Sequence, residues 1–189
     1  MSAHDDDADL QPTVGGSANL GVKKTLAEYA ELDGQDESLA KWKASLGIKP
    51  SAAAGTSGPQ FTLLGLFIHF PASPEGKTIE IGLGDSAAPV HIKEGVKHSI
   101  RIRFQVNEIV TGLRYIHIVT RWGVKVDKME SMIGSYGPRS DGPNEITLPA
   151  EESPSGMLAR GTYAVKSKII DDDKQVHKEF NWSFEVTEE

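Results

Sequence analysis

Cysteine is missing from all 189 residues, which excludes a disulfide, a thiolate metal site and a cysteine nucleophile. It fits a reducing compartment better than a stapled secreted module. Long apolar runs are missing too. The longest, Phe61 to Phe70, is broken by Thr62, Gly65 and His69; it falls short of the roughly 18 apolar residues a membrane span needs and reads as a buried strand. The start, MSAHDDDADLQP, has neither the basic nor the apolar region of a secretion signal. There is no basic excess: 20 Lys and Arg stand against 27 Asp and Glu, a net charge of -7. Nucleic acid and anionic membrane are therefore disfavoured as partners, because phosphate recognition depends on clustered Lys and Arg. A cytoplasmic protein without stable membrane insertion is expected.

Catalytic and metal-binding motifs are also wanting. The six histidines (His4, His69, His91, His98, His117, His177) occur singly, with no HExxH or HxH spacing, and read as surface or satisfied strand positions rather than metal ligands. There is no GxSxG elbow, phosphate-binding loop or GxGxxG helix start; Gly82-Leu83-Gly84 leads into Asp-Ser-Ala and reads as a turn. The pair Glu151-Glu152 lies in a Pro-rich stretch, where a solvated loop is expected rather than the apolar pocket that acid–base work requires. Asp171-Asp172-Asp173-Lys174 lacks the alternating spacing of a calcium loop and reads as a solvated hairpin turn. Neither an enzyme nor a metal or cofactor is expected.

What is present divides in two. Residues 1–56 form a polar lead with an acidic cluster (Asp5, Asp6, Asp7, Asp9), then two short helical patterns. Thr25 and Glu28 suit a capping box ahead of a Leu26/Tyr29/Leu32 stripe; Asp36 caps a second helix carrying Leu39, Trp42 and Leu46. Both helices are shorter than the ~12–15 residues at which an isolated helix becomes marginal in water, so a flexible arm with a short helical hairpin is expected. Residues 57–189 read as strand and turn. Ile100, Ile102, Phe104 and Val106 alternate with polar residues, as do Phe180, Trp182, Phe184 and Val186. Strands are predicted near 60–70, 77–83, 89–93, 97–106, 113–121, 124–126, 129–136, 161–170 and 176–187. Their number and spacing predict an all-β, immunoglobulin-like β-sandwich. The bulky last strand could fill the space between the sheets or prop them apart around an apolar cavity.

The wording of this region is distinctive. KEGV, EIVTGLRYI, GVKVDK, MIGSYGP, GMLARGTY and DDDK, with ELDGQDESLAKWKASLG upstream, resemble in order and spacing the Rho GDP-dissociation inhibitors. The resemblance implies a cytosolic regulator that binds GDP-bound, prenylated Rho-family GTPases, blocks nucleotide exchange and shelters the geranylgeranyl tail. The protein would be a monomer alone and a heterodimer with the GTPase. By position, Asp36, Leu39, Trp42 and Leu46 match arm residues that meet the switch regions, and Thr25 falls where many members have a phosphorylatable serine, which makes it a candidate for regulatory phosphorylation. Val90, Ile109, Trp182 and Phe184, joined by Leu113 and Phe180, match the prenyl pocket. Asp127, Asp172 and Asp173 correspond to acids near the switch region, and Glu151 and Glu152 to acids facing the GTPase's basic tail. Trp42 replaces the family's usual tyrosine, and the turn at Asn107-Glu108 is one residue short. Phe61 to Ala88 matches too poorly to supply pocket residues. The alternatives are a general carrier of prenylated or acylated proteins, which the arm argues against, and an immunoglobulin-like adhesion module, which the missing cysteines argue against.

Overall fold

Strands form where the alternation is strong. The computed structural model describes residues 10–12, 37, 38, 41, 58–73, 76–139 and 141–188. Its elements are β1 (Phe61–His69), β2 (Thr78–Glu80), β3 (Val90–Lys93), β4 (Lys97–Val106), β5 (Val110–Arg121), β6 (Val124–Tyr136), β7 (Asn144–Thr147), β8 (Glu151–Glu152), β9 (Gly161–Ile170) and β10 (Val176–Thr187). One sheet runs β2-β1-β4-β7, with β8 also beside β4; the other runs β3-β10-β9-β5-β6. All pairings are antiparallel except β3 with β10. The inward faces of both sheets share one core that includes Ile100, Ile102, Phe104 and Val106 of β4 and Phe180, Trp182, Phe184 and Val186 of β10, the two stripes that alternation singles out. The expected all-β sandwich is what is found.

Three expectations about strands need correction. The break between 124–126 and 129–136 is absent, because β6 is an edge strand whose residues are mostly exposed or half-buried, which leaves little apolar period to read. Strands β7 and β8 were not predicted; four and two residues are too short for a periodic signal. β5 starts at Val110 rather than 113 and contains a bulge where its pairing with β6 shifts between Val110 and Leu113. Gly112 lies in that bulge at φ 59, and a Cβ there would collide with the Asp172 carboxylate. The positive φ is what calls for glycine here; the Asp172 carboxylate, at the end of an exposed side chain, would have to swing aside for a Cβ.

Of the arm, Glu37, Ser38 and Lys41 have helical backbone and exposed side chains. Thr25, Asp36, Leu39, Trp42 and Leu46 lie outside the described residues. The polar lead was expected to bury nothing, yet Leu10 is fully covered against Ile116, Ile118 and Ile170. This satellite cluster gives β5 buried residues on both faces. Leu10→Ala should lower stability by about 1–2 kcal/mol, the scale of losing much of a buried leucine's transfer energy. Urea unfolding checks it; no change in midpoint would mean that the contact is not maintained in solution.

Candidate functional site

Six strands converge on a cleft of about 580 Å³ between the sheets, within the ~300–1,000 Å³ typical of small-molecule sites. Ile100, Val119, Val126, Tyr163, Trp182 and Phe184 supply its apolar walls; His98, His117, Arg121, Asp127, Glu151 and Glu152 supply polar groups. Lining residues come from β4 and β8 on one sheet and from β5, β6, β9 and β10 on the other.

The aromatic wall is held from behind. The Trp182 indole N–H donates to Ser167 Oγ at 3.0 Å, and that hydroxyl shares a 2.9 Å bond with the Tyr115 hydroxyl. Burial pushes the Tyr115 hydroxyl far above the ordinary tyrosine range, so it stays neutral. Phe184 stacks on Tyr163 with centroids 4.9 Å apart and 5° between planes. The Tyr163 hydroxyl donates to Ala159 O at 2.6 Å and accepts from Arg121 at 3.1 Å. Arg121 also donates to the carbonyls of Leu158 and Arg160 and lies 4.2 Å over the Trp122 ring. It thereby ties the turn before β9 to the β5–β6 hairpin, and the two present exposed Trp122, Val126, Met157 and Leu158 beside the cleft.

One of the acids beside the cleft departs from expectation, while Glu152 and Asp127 are exposed. Glu151 is half-buried rather than solvated, and its carboxyl is pushed above the usual range by burial and then by repulsion from Asp127. His117 is neither a surface histidine nor a satisfied one. It is 3% exposed, and neither ring nitrogen has a hydrogen-bond partner among the described residues. Burial lowers its pKa to about 4, against a smaller upward pull from Asp127. His98, half-buried opposite Glu151 on the neighbouring strand, is lowered in the same way.

Of the residues matched to a pocket by resemblance, Trp182 and Phe184 line this cleft. Val90, Leu113 and Phe180 are buried in the common core but are not among the lining residues. Ile109 is half-buried in the β4–β5 turn, its carbonyl accepting from Gln60 Nε2 at 2.9 Å. It sits at the far end of β5 from Val119, roughly 30 Å away at the rise of a strand. The acids divide likewise. Asp127, Glu151 and Glu152 line the cleft, whereas exposed Asp172 and Asp173 lie on the β9–β10 turn, where Asp172 N donates to Thr111 O near the start of β5. Sequence reasoning missed Tyr163, Val119, His98 and His117 as lining residues. The only available signal was the period-2 run Tyr115, His117, Val119, which places a histidine on an otherwise apolar inward face.

A family model described as RHO protein GDP dissociation inhibitor matches residues 3–189. The chain is 40% identical over 181 residues to the Rho GDP-dissociation inhibitor of Schizosaccharomyces pombe, covering 91% of this chain and 86% of that protein. It is 39% identical over 170 residues to Rho GDP-dissociation inhibitor 1 of Homo sapiens, covering 87% and 82% respectively. With the Rho GDP-dissociation inhibitor of Saccharomyces cerevisiae it shares 38% identity over 178 residues, 88% of each chain.

Proposed function

The chain belongs to the RHO protein GDP dissociation inhibitor family, and on that premise we propose that it binds prenylated, GDP-bound Rho-family GTPases, blocks their nucleotide exchange and carries them through the cytosol with the geranylgeranyl tail in the cleft. A regulator, not a catalyst, is the role the family's name describes. The supporting observation is the cleft itself, walled by Trp182, Phe184, Tyr163, Val119 and Ile100 and flanked by Asp127, Glu151 and Glu152.

Both halves of that arrangement are needed. Burying a prenyl chain is favourable by ~0.8 kcal/mol per CH₂, but the bilayer offers the same gain, so an apolar cleft alone extracts little. Each Lys or Arg of a polybasic tail adds ~1 kcal/mol of membrane attachment. Glu151 and Glu152 compete for those charges, and the remainder must come from contacts with the folded GTPase. Residues 1–56 serve as the arm for that contact, through Asp36, Leu39, Trp42 and Leu46, with Thr25 as a point of regulation by phosphorylation. Asp172 and Asp173, at the far end of β5, reach a second part of the partner.

The test is GDP release from a prenylated Rho GTPase with the full chain and with residues 57–189 alone. The full chain should slow release at least roughly tenfold more than the truncation, a difference of about 1.4 kcal/mol in arm contacts. Equal inhibition by both would remove the arm from this role. Equal affinity of the full chain for GDP- and GTP-loaded partner would instead favour a carrier without nucleotide selectivity.

A further inference from the structure

We propose that His117, Asp127 and Glu151 form a binding site for a divalent transition-metal ion, zinc being the best chemical match, that bridges the two sheets within the cleft. One donor atom from each of the three lies within 4.8 Å of the others. They come from three strands: His117 from β5, Asp127 from β6 and Glu151 from β8. The register explains the meeting. Val119 faces Asp127 and His117 faces Met129 across β5 and β6, so His117 and Asp127 are diagonal neighbours on one face. Glu151 is brought from the opposite sheet by its pairing with His98.

Acids in proximity are not in themselves a site; the histidine is the independent observation. A buried imidazole normally has a partner for at least one nitrogen, and His117 has none among the described residues while lining the cleft. An ion would supply that partner. It would also relieve the repulsion between Asp127 and Glu151. One nitrogen and two carboxylates suit zinc, whereas calcium and magnesium favour oxygen alone. Zinc bonds of ~2.0–2.2 Å need donors somewhat closer than they stand. The shift falls to the side chains of exposed Asp127 and half-buried Glu151, with His117 fixed by packing. Three protein donors leave a coordination position open toward the cleft. An ion there would sit on Glu151, one of the two acids assigned above to the basic tail, and so compete with it. That consequence rests on the proposed function; metal binding does not.

The experiment uses the full chain, stripped with chelator and titrated with zinc alone against a chromophoric competitor, with cobalt absorption as a second readout. One equivalent should bind, with cobalt bands showing nitrogen and carboxylate ligation in low coordination. His117→Gln and Asp127→Asn remove direct ligands and should each weaken binding by more than the 10- to 100-fold typical of losing an indirect, supporting contact. His4→Asn, near the start of the chain, and His91→Asn, at an exposed β3 position, should leave it unchanged. Asp127 is exposed, so its variant will fold and decides the matter if His117→Gln does not. No zinc binding by the wild type, full binding by Asp127→Asn, or loss on His4→Asn or His91→Asn would each overturn the site.

Discussion

Phe184→Asp should reduce binding of a geranylgeranylated peptide by more than about 100-fold, equivalent to roughly 2.7 kcal/mol. Phe184 is 9% exposed and lines the cleft beside Trp182, their ring centroids 5.9 Å apart. A carboxylate there must lose its water or take up a proton when lipid enters, and Glu151 and Asp127 in the same cleft add like charge. Val119→Trp tests the same volume without adding charge: it fills part of the cleft with apolar matter, so it should block lipid while the fold is retained. Ile109→Asp is the contrast. Sited in the β4–β5 turn, it should change peptide affinity less than about threefold. Fluorescence titration of the three variants, with thermal midpoints recorded, gives the answer. If Ile109→Asp abolishes binding while folded Phe184→Asp and Val119→Trp bind normally, the lipid enters from the other end of the sandwich.

Asp171→Ala should cost about 3–5 kcal/mol of stability, a large share of the ~5–15 kcal/mol that holds a domain together. Asp171 is 2% exposed. Its Oδ1 accepts from the backbone N–H groups of Asp173 and Gln175, each at 2.9 Å, and its Oδ2 pairs with His177 Nε2 at 2.9 Å. Removing the carboxylate strands two backbone donors and a side chain that is itself only 3% exposed, so the penalty is that of orphaned polar groups rather than of lost contacts alone. Asp171→Asn, which keeps an acceptor for the backbone groups, should cost clearly less. Denaturant unfolding measures both. A loss under about 1 kcal/mol for the alanine variant would show that the turn is held by other contacts. The functional stake lies next door: this turn sets where Asp172 and Asp173 project.

The turn is therefore solvated at Asp172, Asp173 and Lys174, as the sequence suggests, but not at Asp171, which is buried. Three consecutive aspartates look alike in a sequence; which one turns inward depends on the donors at Gln175 and His177 and on the strand ends that the turn must join. Glu151 makes the same point. Its Pro-rich surroundings suggest solvent, and only the pairing of β8 with β4 carries it into the cleft.

By itself the sequence determined the fold class, because burial on one face of a strand writes a period of two into the chain, as in Ile100 to Val106 and Phe180 to Val186. It also determined the family, whose blocks are contiguous and local. Alternation tells which face is apolar but not what stands across from it. Only the tertiary structure could separate Trp182 and Phe184, which wall a cleft, from Phe180, which fills the core on the same stripe. Only it could set Ile109 at the far end of β5, and bring His117, Asp127 and Glu151 together from three strands. Such meetings depend on register and on the distance between sheets, which are properties of how strands pair and pack rather than of any one strand's residues.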